Sequence, residues 1–229
     1  MISQMFDMAK ALEASLIAQR RDFHRYPELG WCELRTSSII ARRLTDLKFD
    51  EVLTGRDVCD ADSRMGLPSD EELERQYRRA EQQGADAEFL PATQGGFTGV
   101  IGILYCGKGP TVALRFDIDA LPLTETAEAG HFPADNGFRS LNEGVMHACG
   151  HDGHAAVGLG VAEVLSACRT QLHGTLKLIF RPAEEGVRGA RSIVEQGHLD
   201  GVDYVLGAHM SGSSDTKRPF LGVGDGASL

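Results

Sequence analysis

The stretch MHACGHDGHAAVGLG, residues 146–160, sets three histidines, one cysteine and one aspartate within nine positions and then turns small and apolar. A packed core gains little from that crowding, whereas a metal ion gains a great deal. Cys149 and His151 are two residues apart, so in an extended loop both point to one side. Thiolate and imidazole are good ligands for zinc and other transition metals. Glu184 and Glu185, in RPAEEG, add a carboxylate pair. One can bind metal while its neighbour, held off the metal, takes a proton from water. His209, in the later AHM, offers another imidazole. Each residue alone has an ordinary structural alternative: Cys149 as a buried thiol, the glutamates as a solvated turn, His209 as a strand-end histidine bonded to backbone. Together, at one expected edge of the fold, they point to metal binding.

Those residues need elements to position them. Met5, Met8, Leu12 and Leu16 recur at helical spacing, which predicts an amphipathic helix over residues 5–22. Pro27 and Gly30 make a turn, and residues 36–47 return to helical spacing. Residues 57–94 are dense in charge and have little to bury. They contain one helical run, Ser69 to Gln83, with Ser69 as N-cap and Glu72 three residues on. This segment reads as a helical excursion, either a solvated helix or a partner-facing element. From Gly95 the pattern alternates. FTGVIGILY and GPTVALRFDID read as a strand pair joined by CGKG, HAAVGLGVAEVLSAC as a helix, and GTLKLIFRP as a strand. GVRGARSIVEQG reads as a helix and VDYVLGAH as a strand. This rhythm predicts an α/β fold with a mostly parallel central sheet flanked by helices. In such sheets ligands sit outside the carboxyl ends of the strands, where RFDIDALP, RPAEEG and AHM fall.

The 229 residues suffice for one large domain, and 42% apolar with 24% charged residues is a globular composition. A net charge of -10 argues against nucleic acid or an anionic membrane as the main partner. The first residues lack the basic and unbroken apolar regions of a signal peptide, and no stretch reaches the ~18 apolar residues that span a bilayer. Five cysteines at irregular spacing make no disulfide framework, so a cytoplasmic location is expected.

RRDFHRYPELGWCE, GGFTGV, RFDIDALPL, MHACGHDGHAAVGLG and FRPAEEGVRGARSIVEQG together resemble the amidohydrolase branch of the M20 metallopeptidases. The resemblance covers roughly residues 10–209. It implies a zinc-peptidase-like catalytic domain with two divalent metal ions, manganese or zinc. It assigns Cys149 as a bridging thiolate, and His151, Glu185 and His209 as ligands. Glu184 becomes the general base and later the acid, and Asp119 falls where the wider family orients a ligand. Asp152 and His154 are candidates to hold ligand imidazoles, and His147 reads as structural.

The implied substrate is a small N-acyl amino acid. SRMGLPSDEELERQYRRAEQQGA is similar to a subgroup of that branch that cleaves p-aminobenzoyl-glutamate to p-aminobenzoate and glutamate and whose partner is a second hydrolase subunit. The alternatives are another acyl-amino acid, such as hippurate, or a truncated metal-binding subunit without turnover. The resemblance is expected to stop at His209. Residues 210–229 read as a divergent or truncated tail, with the lid domain, its dimer interface and a final histidine ligand missing.

Overall fold

A computed structural model describes residues 2–210. Helices α1 (Ile2–Ala11), α2 (Glu13–Arg25) and α3 (Leu34–Asp46) come first, followed by β1 (Glu51–Thr54) and α4 (Asp70–Gln82). Then come β2 (Val100–Tyr105), β3 (Thr111–Asp117), the short α5 (Phe132–Asp135) and the long α6 (His151–Cys168). β4 (Thr175–Arg181), α7 (Ala190–Glu195) and β5 (Tyr204–Gly207) close the described chain. The first helical run divides at Leu12, where Ser15 Oγ donates to the Leu12 carbonyl at 2.8 Å. Of the expected tail, residues 210–229, all but Met210 lie outside the described residues.

The sheet has the order β1-β2-β4-β3-β5 and is mixed, not mostly parallel. β3 runs parallel to β4 and to β5, as the strand–helix–strand rhythm requires. β2 is antiparallel to both β1 and β4. The expected hairpin between β2 and β3 is opened, and β4 occupies the gap. The start of β4 is held there by both ends of the connecting loop: Cys106 N donates to Gly174 O at 2.8 Å, and Thr175 N to Pro110 O at 3.0 Å. Gly174 sits at φ +90, where a Cβ would come within 2.1 Å of the Pro110 carbonyl, so the insertion depends on glycine. Local alternation in β2 and β3 carries no record of a strand that arrives some sixty residues later.

Strand periodicity splits the core into two layers. Val100 and Leu104 of β2, with Leu178 and Phe180 of β4, face Phe23, Ile40, Leu44 and Leu159 from α2, α3 and α6. Ile101, Ile103 and Ile179 point the other way, onto Trp31, Val58, Phe97 and Ile193. The 57–94 segment does hold a helix, capped by Ser69 Oγ accepting from Glu72 N at 3.2 Å. It is nevertheless anchored. Val58 and Cys59 belong to the second layer, Ala80 packs with Leu34 and Leu90, and Leu73 is buried. The indole of Trp31 donates to Met65 O at 2.8 Å, and Arg35 Nε to Gln83 O at 2.8 Å. The expectation that it has little to bury fails because Val58, Cys59, Leu73, Ala80 and Leu90 are buried, although Met65 and Leu67 stay exposed. Deleting residues 62–83 is therefore expected to lower the denaturation midpoint sharply by circular dichroism. A deletion variant as stable as the parent overturns this packing account.

All five cysteines are unpaired, and among the described residues no helix is long and apolar enough to cross a membrane.

Candidate metal centre

Three parallel strands end on one edge, and the sequence beyond each end carries the polar residues. β3 ends at Asp117, with Asp119 two residues on; β4 ends at Arg181, next to the Glu184–Glu185 turn; β5 ends at Gly207, next to His209. α6 starts at the same edge with His151, behind Gly150 in the left-handed region at φ +89. The glutamate turn is tight and strained. Ala183 and Val187 take φ values of +48 and +56, uncommon for residues with a side chain. Buried Glu33 braces it, accepting from Ala183 N at 2.7 Å and from the Thr98 hydroxyl at 2.6 Å. Burial, followed by the charge of Asp119, pushes the Glu33 carboxyl up to about 8.

His151 is the hub. It is fully buried, and its Nδ1 lies 2.9 Å from the Asp119 carbonyl and 3.1 Å from Asp119 Oδ1. Those acceptors place the proton on Nδ1 and leave Nε2 as the electron-pair donor, the orientation a metal-binding imidazole needs. Burial alone would lower the His151 pKa, but the Asp119 hydrogen bond and the charges of Asp119, Asp117 and Glu185 outweigh it and raise it. The second Asp119 oxygen accepts from Glu185 N at 2.8 Å. Asp119 thus links the histidine turn to the glutamate turn.

Two donor groups share His151. Cys149 Sγ lies 3.5 Å from His209 Nε2, while His209 Nδ1 is taken up by Met210 O at 2.6 Å. Donor atoms of Cys149, His151 and His209 all lie within 4.8 Å of one another, and so do those of His151, Glu184 and Glu185. Burial, with a hydrogen bond to Glu185 and the charges of Glu185, Glu184 and Asp119, pushes the Cys149 thiol up to about 12. Without a cation the group therefore stays a thiol. Cys149, His151, Glu184, Glu185, His209 and Asp119, which the sequence pattern expected at one edge, do meet there.

The donor set fits divalent metal. His151 Nε2 and Glu185 Oε1 are buried and have no hydrogen-bond partner among the described residues. Such orphan atoms are costly unless something fills the gap between them. Glu184 differs from its neighbour: Arg181 NH2 holds its Oε1 at 3.1 Å, and its Oε2 stands 3.9 Å from His151 Nε2.

Asp117 and Arg181 were not singled out in the sequence. Asp117, His151 and His154 form a third donor group. Asp117 Oδ1 accepts from Arg181 Nε at 2.7 Å, so Arg181 ties Asp117 to Glu184. The two-residue spacing of Asp117 and Asp119 in RFDID was the available signal, since a period of two puts both on one face. His154 Nε2 accepts from Met210 N at 3.0 Å and so holds the backbone beside His209. Asp152 faces away from the donor groups, toward His24 and Arg20. His147 is buried with neither ring nitrogen hydrogen-bonded.

Residues 113–224 match the model of peptidase family M20/M25/M40. Over that stretch the chain is similar to this family. It is 49% identical over 201 residues to one subunit of the p-aminobenzoyl-glutamate hydrolase of Escherichia coli, covering 87% of this chain and 46% of that one. It is 52% identical over 192 residues to indole-3-acetyl-aspartic acid hydrolase of Enterobacter agglomerans, covering 83% and 44%. A dinuclear metal-binding M20 peptidase from Bacillus subtilis superposes with a TM-score of 0.64 at 33% identity, covering 88% of this chain and 44% of that one. The chain thus spans about half the length of the curated relatives it matches.

Proposed function

We propose that this chain carries the catalytic centre of a metal-dependent amidohydrolase that cleaves N-acyl amino acids. The observation that carries the reading is the pair of donor groups hinged on His151, with one glutamate of the turn aimed at the gap and the other held by Arg181. Cys149, His151, Glu185 and His209 would hold two divalent ions; zinc suits the sulfur and nitrogen donors, and manganese the carboxylate oxygens. Bound there, the ions supply a Lewis acid for the amide carbonyl and acidify water for attack.

The chain's own residues do the rest. Asp119 fixes the His151 ring and the Glu185 backbone through its two oxygens. Arg181 anchors Glu184 Oε1, which leaves Oε2 free to accept a proton from the attacking water. Glu184 then returns that proton to the leaving amine nitrogen, so one carboxylate serves as base and then as acid.

The substrate we favour is p-aminobenzoyl-glutamate, cleaved to p-aminobenzoate and glutamate. The names of the two relatives support the class, since both compounds join an aromatic acyl group to an acidic amino acid. Indole-3-acetyl-aspartate is the second reading, and the higher identity of its relative favours it. A partner subunit follows in the same way, because the Escherichia coli relative is named as one subunit of its hydrolase. Hydrolysis rates for p-aminobenzoyl-glutamate, indole-3-acetyl-aspartate, hippurate and N-acetyl-glutamate are expected to fall in the order of aromatic plus acidic, then aromatic only, then acidic only. Equal rates on hippurate and p-aminobenzoyl-glutamate remove the acidic side chain from the specificity. No metal-dependent hydrolysis of any of them overturns the reading.

A further inference from the structure

Beneath the metal-ligand turn lies a buried charge network that none of the proposed chemistry uses. His24 sits in the last turn of α2 and is 2% exposed. Its Nδ1 lies 2.8 Å from Asp152 Oδ2, and its Nε2 lies 2.9 Å from Glu125 Oε1. A carboxylate only accepts hydrogen bonds, and a neutral imidazole has only one N–H to give. A neutral His24 would press one ring lone pair against a carboxylate lone pair at under 3 Å.

Each carboxyl is already approached by other donors, which favours keeping both ionised and the proton on the ring. Asp152 accepts from Arg20 Nε at 2.8 Å and, through Oδ1, from Gly153 N at 2.8 Å. Glu125 accepts from Ser140 N at 2.6 Å and faces His131 Nε2 at 2.7 Å. At Glu125 the hydrogen bonds from His24, Ser140 N and His131 together outweigh burial and hold the carboxyl below the usual carboxylate range. The end of α2 adds its own preference, since the carbonyls of a last helical turn favour a cation.

We propose that His24 is a positioning residue for the metal-ligand turn: a buried imidazolium, protonated on both ring nitrogens, that clamps Asp152 at the head of α6 to Glu125. Asp152 directly follows His151, and its Oδ1 caps Gly153 N, so the clamp fixes the backbone that presents Cys149 and His151. Asp152 and Glu125 favour the cation, and Arg20, with NH2 at 3.4 Å from Nδ1, opposes it. His147 adds no charge, because burial pushes it down to about 4. Phe138 meets the ring edge-on at 5.5 Å between centroids. Burial lowers the His24 pKa, but the hydrogen bonds to both acids outweigh it and leave it raised. The clamp is therefore complete below the ordinary histidine value and is lost only as pH rises through the raised one.

The metal role of this clamp rests on the reading of Cys149 and His151 as ligands, whereas the ring charge does not. Two measurements separate them. Two-bond ¹H–¹⁵N correlation spectra of the ¹⁵N-labelled, metal-free chain, assigned through the backbone, are expected to show both His24 nitrogens predominantly protonated at pH 6.5, the ordinary histidine value, with loss of a proton only at higher pH. One protonated and one bare nitrogen predominating at pH 6.5 overturns the proposal, with Arg20 then donating to the bare Nδ1. Zinc titration supplies the second readout. His24→Gln keeps one donor but no charge and is expected to weaken zinc binding by ~10–100-fold, the scale for residues that orient ligands. Asp152→Asn is expected to weaken it comparably, and the double variant little further, because both act through one contact. His24→Lys is expected to recover part of the loss. Unchanged zinc affinity in His24→Gln, or fully additive losses, overturns the positioning role. Failure of the parent chain to bind zinc removes the metal reading while leaving the ring charge to the spectra. If His24→Gln does not fold, the spectra of the parent decide.

Discussion

Replacing Glu184 by glutamine in the catalytically competent protein is expected to lower turnover at least ~10²-fold, the usual scale for a lost general base. Metal content is expected to stay near that of the parent. The split follows from the turn's geometry. Glu184 is tied to Arg181, while Glu185 is tied by its backbone to Asp119 and points an unpartnered Oε1 into the donor cluster. Glutamine keeps the Arg181 contact through its carbonyl oxygen but cannot take a proton from water. Glu185→Gln is expected to show the opposite pattern, with metal lost first. Elemental analysis and turnover on the same samples check both, and the reverse result exchanges the two roles.

The other large effect is expected at Cys149. The thiol, pushed up to about 12 by burial and the surrounding carboxylates, is protonated at pH 8, whereas a metal takes the thiolate. Metal uptake is therefore expected to release a proton from this group, and affinity to rise with pH by up to about tenfold per unit. Cys149→Ala removes the sulfur that faces His209 Nε2 at 3.5 Å and leaves its donor group a member short. Zinc affinity is expected to fall by several orders of magnitude, with one proton fewer released per ion in weakly buffered titration. Equal metal content in variant and parent sinks the assignment of Cys149 as a ligand.

Much of the scaffold was legible in the chain because it rests on local rules. Ser69 with Glu72 three residues on marks a helix start wherever it occurs, and that cap is formed. The alternation of strand and helix after residue 110 specifies parallel neighbours, and β4, β3 and β5 are parallel. The same rule brings the segments after β3, β4 and β5 to one edge, so Asp119, the glutamate pair and His209 meet there with Cys149 and His151.

What only the tertiary structure decided are the matters set by distant partners. β4 enters between β2 and β3 because Gly174 lets backbone meet backbone at the 106–110 loop, which makes the sheet mixed. The 57–94 segment is held by Trp31, Arg35 and Leu34, residues that precede it and reveal nothing of it in their own spacing. The proton on His151 depends on Asp119, the setting of Glu184 on Arg181, and the charge on His24 on two acids more than a hundred residues away in sequence. Side-chain type and spacing determine which atoms can donate to a metal. Which lone pairs stay free, and which protons stay bound, is an electrostatic property of packed neighbours and exists only once the chain has folded.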